Sequence, residues 1–312
     1  MPSPVPEPGE LRRIAIESAV ACSPRLTRAF RSTPTDLNLT TKRNTHDLVT
    51  VHDRATENEL MRLLLAAVPG SSFIGEEGGS RSGADTDGPE AELEWIVDPI
   101  DGTANFAHGF AMFSISIAAA VHGVVVAGVV LDPVNGLEFS VDDAGAYLNG
   151  ERFGRTAPGL RADPGSIAAE SAALEESTMN LVTSYPSAEA LDVDGPKALE
   201  RFARLVDSYA TVRRTVSGAL ELAYTAIGWA DVTLGVDTHP WDVGVGQLLV
   251  RRAGGQYLSR FYDTDGPERR EPHLAPCYVA VAPGRRAPTA VRVVEELVTA
   301  RRAAGYRGKP DS

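Results

Sequence analysis

The chain has very little cysteine. Cys22 and Cys277 are the only two and lie far apart in sequence, so no disulfide framework and no cysteine-based zinc site is expected. Both read as reduced, partly buried thiols of a cytoplasmic protein. Long apolar runs are missing too. Spanning a bilayer takes about 18 apolar residues, and the best stretch, 113–131, is broken by Ser114, Ser116, His122 and two glycines. The first eight residues hold four prolines and no basic region followed by an apolar core, which reads as a proline-rich tail and not as a secretory signal. Positive charge is in deficit: 30 Lys and Arg against 42 Asp and Glu give a net charge of −12. Such a surface argues against binding a nucleic-acid polymer or an anionic membrane. The six histidines, at 46, 52, 108, 122, 239 and 273, show no metal-ligand or catalytic-triad spacing.

What remains is an ordinary globular composition, 43% hydrophobic and 23% charged over 312 residues, enough for one large domain or two closely packed ones. Helical periodicity begins near Gly9, with Ser23-Pro24 expected to kink or restart the helix. It recurs at 51–67 (burying Leu60, Leu63, Leu64 and Ala67), 196–208, 219–228, 242–253 and 288–303. Strand-like runs fall at 72–74, 95–97, 113–121, 124–131, 137–141, 145–148, 179–183, 211–214, 231–234, 256–258 and 278–282, with Asn135-Gly136 marking a hairpin. Residues 33–45 and 80–89 read as loops, and 152–166, rich in Gly, Pro and Arg, as a boundary between halves. The expected division is a tail at 1–9, an α+β half at 10–160, an α/β half at 161–303 and a tail at 304–312. Interleaved strands and helices imply an α/β layered sandwich around a large core.

The most informative stretch is Trp95-Ile96-Val97-Asp98-Pro99-Ile100-Asp101-Gly102-Thr103-Ala104. An apolar strand ends in a turn, because Pro99 keeps Asp98 extended and Gly102 lets the chain bend. Asp98 and Asp101 would then project into nearly the same space, and like charges so close are costly unless a cation sits between them. Carboxylates clustered with the Ile100 carbonyl suit a hard ion such as Mg²⁺. Residues 102–104 could open a helix whose free N–H groups hold a phosphate. Glu76 and Glu77 follow another strand. Asp242 alone reads as a helix N-cap, and Thr50–Asp53 as a capping box for the second helix.

Taken together, Gly75-Glu76-Glu77, Asp98-Pro99-Ile100-Asp101-Gly102-Thr103 and Trp241-Asp242 resemble the inositol monophosphatase family, Mg²⁺-dependent and lithium-sensitive phosphatases. The resemblance spans about 11–303 and takes in Asp47–Asp53, the hairpin through Pro133 and Ala253-Gly254-Gly255. It implies the α-β-α-β-α sandwich of the fructose-1,6-bisphosphatase-like fold. It also implies that Glu76, Asp98 and the Ile100 carbonyl hold a first Mg²⁺, and that Asp98, Asp101 and Asp242 hold a second. Glu76 would support a third, weaker ion. Gly102 and Thr103 would bind phosphate, and the Thr103 hydroxyl would pair with Asp53 to orient and deprotonate the attacking water. Glu77 would stand behind the ligands, and Lys42 would lie on a loop near the metals. A homodimer is the usual state of such proteins.

Around the substrate the pattern departs from the family. Arg214-Thr215-Val216-Ser217-Gly218-Ala219 has its small and glycine residues exchanged, leaving Ser217, Gly218 and Ala219 as pocket candidates. Gly235 stands seven positions before Asp242, where relatives acting on inositol phosphates often carry an acid, and Asp237 is the nearby substitute. The expected activity is hydrolysis of a small polyol or sugar phosphate by metal-activated water. The alternatives are a nucleotide 3′-phosphatase or a phosphatase for another small alcohol phosphate and, in a different class, a metal-binding regulator without catalysis.

Overall fold

A computed structural model describes residues 5–30, 40–41, 48–49, 51–82, 91–154, 175–263 and 271–308. Lys42, Thr50, most of the loops expected at 33–45 and 80–89, and most of the boundary at 152–166 lie outside the described residues.

Two sheets and three pairs of helices alternate as five layers. The larger sheet has eight strands in the order β10-β9-β8-β7-β6-β5-β3-β4. In chain order these are β3 (Ser72–Gly75), β4 (Gly79–Ser82), β5 (Leu93–Asp101), β6 (Ser114–Val121), β7 (Val124–Asp132), β8 (Leu137–Val141), β9 (Ala146–Leu148) and β10 (Glu151–Phe153). One face packs on α1 (Pro8–Phe30) and α2 (Val51–Ala67) through Leu11, Leu26, Leu60, Leu64, Trp95 and Ile117. The other packs Ile96, Ala118, Val130 and Phe139 against Leu222 of α6 (Gly218–Ile227) and Val245 and Leu249 of α7 (Pro240–Ala253). Beyond them lies a five-stranded sheet ordered β12-β11-β13-β15-β14. Its strands are β11 (Asn180–Thr183), β12 (Thr211–Arg213), β13 (Val232–Val236), β14 (Gln256–Arg260) and β15 (Cys277–Val281). Leu181, Leu234 and Val279 bury its far face under α5 (Pro196–Ser208) and α8 (Pro288–Ala303), which contribute Leu205, Val294 and Leu297. A separate two-stranded pair, β1 (Thr40–Thr41) with β2 (Leu48–Val49), precedes α2. The layers run α-β-α-β-α, the sandwich expected from the sequence.

Some local expectations change. The first helix does not restart at Pro24 but runs through it. A proline lacks the N–H that would bond the carbonyl four residues back, here Val20, and the Ser23 hydroxyl donates to that carbonyl instead at 3.0 Å. Ala67 is exposed and Leu63 only half-buried. Residues 79–82 are a strand paired with β3 and not a loop. A further short helix, α4 (Ala188–Asp194), carries Ser187 as N-cap, its side chain accepting from the Ala190 amide at 3.1 Å.

Candidate functional site

Pairing in the larger sheet brings the first acids together. β3 runs parallel to β5 with Gly75 opposite Val97, so the residues that follow, Glu76 and Asp98, leave the pair side by side. The Glu76 amide still donates to the Val97 carbonyl at 3.3 Å. The β5–β6 register is interrupted between Asp98 and Asp101, which sit opposite Ser116 and Ser114. Gly102 then turns with φ of 92° and caps the five-residue α3 (Thr103–Ala107). A Cβ at Gly102 would stand 3.0 Å from the Met112 carbonyl and 3.1 Å from that of Val216, so a side chain would be strained by the positive φ and would press on both carbonyls.

Asp101 is 5% exposed. Its Oδ2 accepts from Ser114 Oγ at 3.1 Å, from the Ala219 amide at 3.2 Å and from Ser217 Oγ. Asp98, 2% exposed, accepts from the Ile100 amide on Oδ1 at 3.0 Å. Each leaves its second oxygen without a hydrogen-bond donor among the described residues. Burial first, and then the charges of Glu76, Asp101, Asp242 and Asp53, push the Asp98 carboxyl well above the ordinary range. Burial also raises Asp101, to about 6, against the opposing pull of its serine donors. Asp242 approaches from α7. It occupies the third helical position and not the N-cap, because Pro240 starts the helix and His239 caps it. Its Oδ2 accepts from the His239 amide at 2.7 Å. His239 itself stacks on Trp241 with ring centroids 4.9 Å apart. Gly218 lies between: its added Cβ would be 3.6 Å from Asp242 Cβ and 3.9 Å from Asp101 Oδ1.

Asp53, 1% exposed on α2, accepts from Thr103 Oγ1 at 3.0 Å, and the same hydroxyl lies 3.0 Å from the Ile100 carbonyl. The Glu77 side chain lies 4.0 Å from Arg54 Nε, and its amide donates to Glu57 Oε2 at 2.8 Å. Asp237 has a different engagement. Its Oδ1 accepts from Tyr262 Oη at 2.7 Å and its Oδ2 from Arg301 Nη1 at 2.6 Å, so both oxygens are committed within a buried ion pair. The structure thus gives both oxygens partners within the protein where the sequence reading expected a substitute contact to substrate. It borders a cavity of about 390 Å³ with Thr238, His239, Phe261 and Arg307, yet its carboxylate is already satisfied.

Sequence reasoning missed Glu57, Ser114, Asn105 and Glu221. Glu57 had a signal, since it follows Asp53 by one helical turn on the buried face of α2. Ser114 had none, because it meets Asp101 only through strand register.

A purely oxygen donor set around a buried, electrostatically crowded carboxylate has the chemistry that a hard divalent cation neutralises. Among the described residues, no three His, Cys, Asp or Glu side chains stand at metal-ligating spacing. The acids share one electrostatic neighbourhood without forming a closed cage. The fit to a cation therefore rests on the donor chemistry and on the two oxygens of Asp98 and Asp101 that no donor engages.

A model of the inositol monophosphatase family matches residues 7–298. Nus factor SuhB of Pseudomonas aeruginosa is 34% identical over 215 residues, 69% of this chain and 73% of that protein. Nus factor SuhB of Escherichia coli K12 is 34% identical over 216 residues, 69% and 72% of the two chains. Among solved structures, the extragenic suppressor protein suhB of Bartonella henselae superposes with a TM-score of 0.72 at 25% identity, covering 92% of this chain and 97% of that one. An IMPase of Thermotoga maritima gives 0.70 at 26% identity, covering 92% and 98%.

Proposed function

This chain belongs to the inositol monophosphatase family, and from that premise we propose that it is a Mg²⁺-dependent phosphomonoesterase acting on a small polyol or sugar phosphate. The observation that carries the reading is Asp98, a buried carboxylate crowded by four others. A folded protein tolerates such a cluster when a cation offsets it. In this reading Glu76, Asp98, Asp101, Asp242 and the Ile100 carbonyl hold two or three Mg²⁺ ions. When bound, these neutralise the phosphoryl oxygens, acidify a water and stabilise the leaving alkoxide.

The protein's own groups do the rest. Amides at Gly102 and Thr103 donate to the phosphate; with α3 only five residues long, the hold comes from the N–H groups themselves and little from a helix dipole. Thr103 has one hydroxyl proton and two acceptors, Asp53 Oδ1 and Ile100 O, each at 3.0 Å. With that proton directed to Asp53, the Thr103 oxygen can accept a proton from an attacking water as its own hydroxyl proton passes to Asp53, which ends protonated and neutral while the hydroxide goes to phosphorus. Ser217, Gly218 and Ala219 line the same corner, the first and last through Asp101.

The alcohol half of the substrate is less restricted. A Cβ at Gly235 would fall 2.3 Å from the Tyr278 ring, so no carboxylate fits there to grip ring hydroxyls, and Asp237 is occupied elsewhere. The test is release of inorganic phosphate from a panel of inositol, sugar, glycerol and nucleotide 3′-phosphates with and without Mg²⁺. Thr103→Val is expected to lower kcat by about 10²- to 10³-fold, with KM little changed. Equal turnover by wild type and variant would remove Thr103 and Asp53 from the chemistry.

A second reading is favoured by the name Nus factor carried by the SuhB relatives. In it the chain acts by binding a partner protein and any metal is structural. Cleavage of no ester in the panel would select it.

A further inference from the structure

Helix α6 is mostly apolar and carries a single charged residue. Ala219, Leu220, Leu222, Ala223 and Ala226 are buried along it, and in their midst Glu221 is 2% exposed. An ionised carboxylate in such surroundings is expensive unless its oxygens are satisfied. Glu221 Oε1 accepts from Thr215 Oγ1 at 2.7 Å and from Ser184 Oγ at 3.0 Å. Both donors are neutral, and Thr215 belongs to the turn that enters the helix.

The other side of that turn faces the candidate site. Asn105 Nδ2 donates to the Thr215 carbonyl at 2.6 Å, and the Val216 carbonyl is one of the atoms that crowd Gly102. Val216 has φ of 57°, a left-handed conformation that a β-branched residue keeps only when its neighbours over-determine it. Directly after it, Ser217 Oγ and the Ala219 amide close on Asp101 Oδ2. The strained turn is thus clamped between Glu221 on one side and Asn105 and Asp101 on the other.

We propose that Glu221 is a positioning residue for this site: it holds the Thr215–Ser217 turn so that Ser217 and Ala219 fix one oxygen of Asp101 and leave the other for a ligand. The use of that geometry rests on the phosphatase reading, whereas the geometry itself does not. A carboxylate suits the task because, once ionised, it only accepts, and its Oε1 takes both hydroxyls. Burial raises it to about 7 against the pull of those donors. A methionine has a similar shape and offers the two hydroxyls no oxygen.

The experiment is amide hydrogen exchange, resolved by residue, on the full chain and its Glu221→Met variant, with steady-state kinetics on whichever ester the wild type cleaves. The expected result is exchange at Ala219, whose amide donates to Asp101, faster by roughly 10-fold in the variant, with Ala223–Ile227 unchanged. kcat should fall roughly 10-fold with KM nearly constant, as loss of positioning without loss of binding requires. Unchanged protection at Ala219 in folded E221M would overturn the proposal, as would a kcat that falls only in proportion to the folded fraction. Should E221M fail to fold, Thr215→Val removes one donor from the loop side, and a smaller acceleration at the Ala219 amide is then required. If the wild type cleaves no ester, the phosphatase reading fails, and the exchange result still decides the role of Glu221.

Discussion

Asp98→Asn is expected to reduce phosphate release by about 10³-fold and, in the same protein stripped of metal, to raise the thermal midpoint. The two effects have one cause. Asp98 is buried, and Glu76, Asp101, Asp242 and Asp53 all oppose its ionisation. Asparagine keeps the oxygen that receives the Ile100 amide and removes the charge. A carboxyl raised in the folded state contributes stability that is fully present below its unfolded value near 4 and is lost as pH rises through the folded value. For Asp101 that folded value is about 6, and for Asp98 it is also displaced upward. The metal-free wild type should therefore lose stability through this cluster as pH rises from about 4 past 6, and the variant should lose less. Scanning calorimetry of both proteins in chelator at pH 5 and pH 8 checks this. The midpoint difference should favour the variant and be larger at pH 8. A variant less stable at both pH values would show that Asp98 is held by favourable contacts and is not waiting for a cation.

Arg301→Met is expected to be the most destabilising single change outside the candidate site, costing about 3–5 kcal/mol. Arg301 is 2% exposed on α8. Its Nε and Nη2 meet Asp194 at 2.9 and 3.1 Å, and its Nη1 meets Asp237 at 2.6 Å and Tyr262 Oη at 2.8 Å. Methionine fills much of the volume but leaves Asp237 without its cation and Asp194 with Arg201 alone, at 3.4 Å, and the penalty is mostly theirs. For a chain of this size the thermal midpoint should fall by roughly 10 °C. Turnover per folded molecule should stay within about threefold of wild type, because this network ties α4, the end of β13 and α8 together and engages none of the acids proposed to hold the cation. A specific loss of kcat/KM in folded R301M would return Asp237 to the substrate pocket.

These two sites show what local sequence can and cannot convey. The helices at Pro196–Ser208 and Pro288–Ala303 were legible because each opens on a proline and keeps an apolar stripe. Asp98 and Asp101 were legible as a pair because three residues and a turn separate them. The neighbourhood of Glu76 and Asp98 follows from parallel pairing of two readable strands. Other contacts depend on packing between distant segments. Ser114 reaches Asp101 through antiparallel register, and Ser184 reaches Glu221 only once α6 is seated against the smaller sheet. Asp237 shows the converse: its position near Asp242 in sequence suggested a ligand to substrate, whereas Arg301, sixty-four residues away, claims it. Pro24 read as a helix breaker because the Ser23 hydroxyl's service to the Val20 carbonyl is invisible in a propensity.

Calorimetric titration of Mg²⁺ into the 312-residue chain, wild type beside D98N, tests the central claim most directly. Convergence of Glu76, Asp98, Asp101 and Asp242 on a cation predicts a saturable binding isotherm for the wild type that is strengthened by inorganic phosphate and abolished in D98N. The same isotherm in both proteins, or none in the wild type with phosphate present, would contradict it.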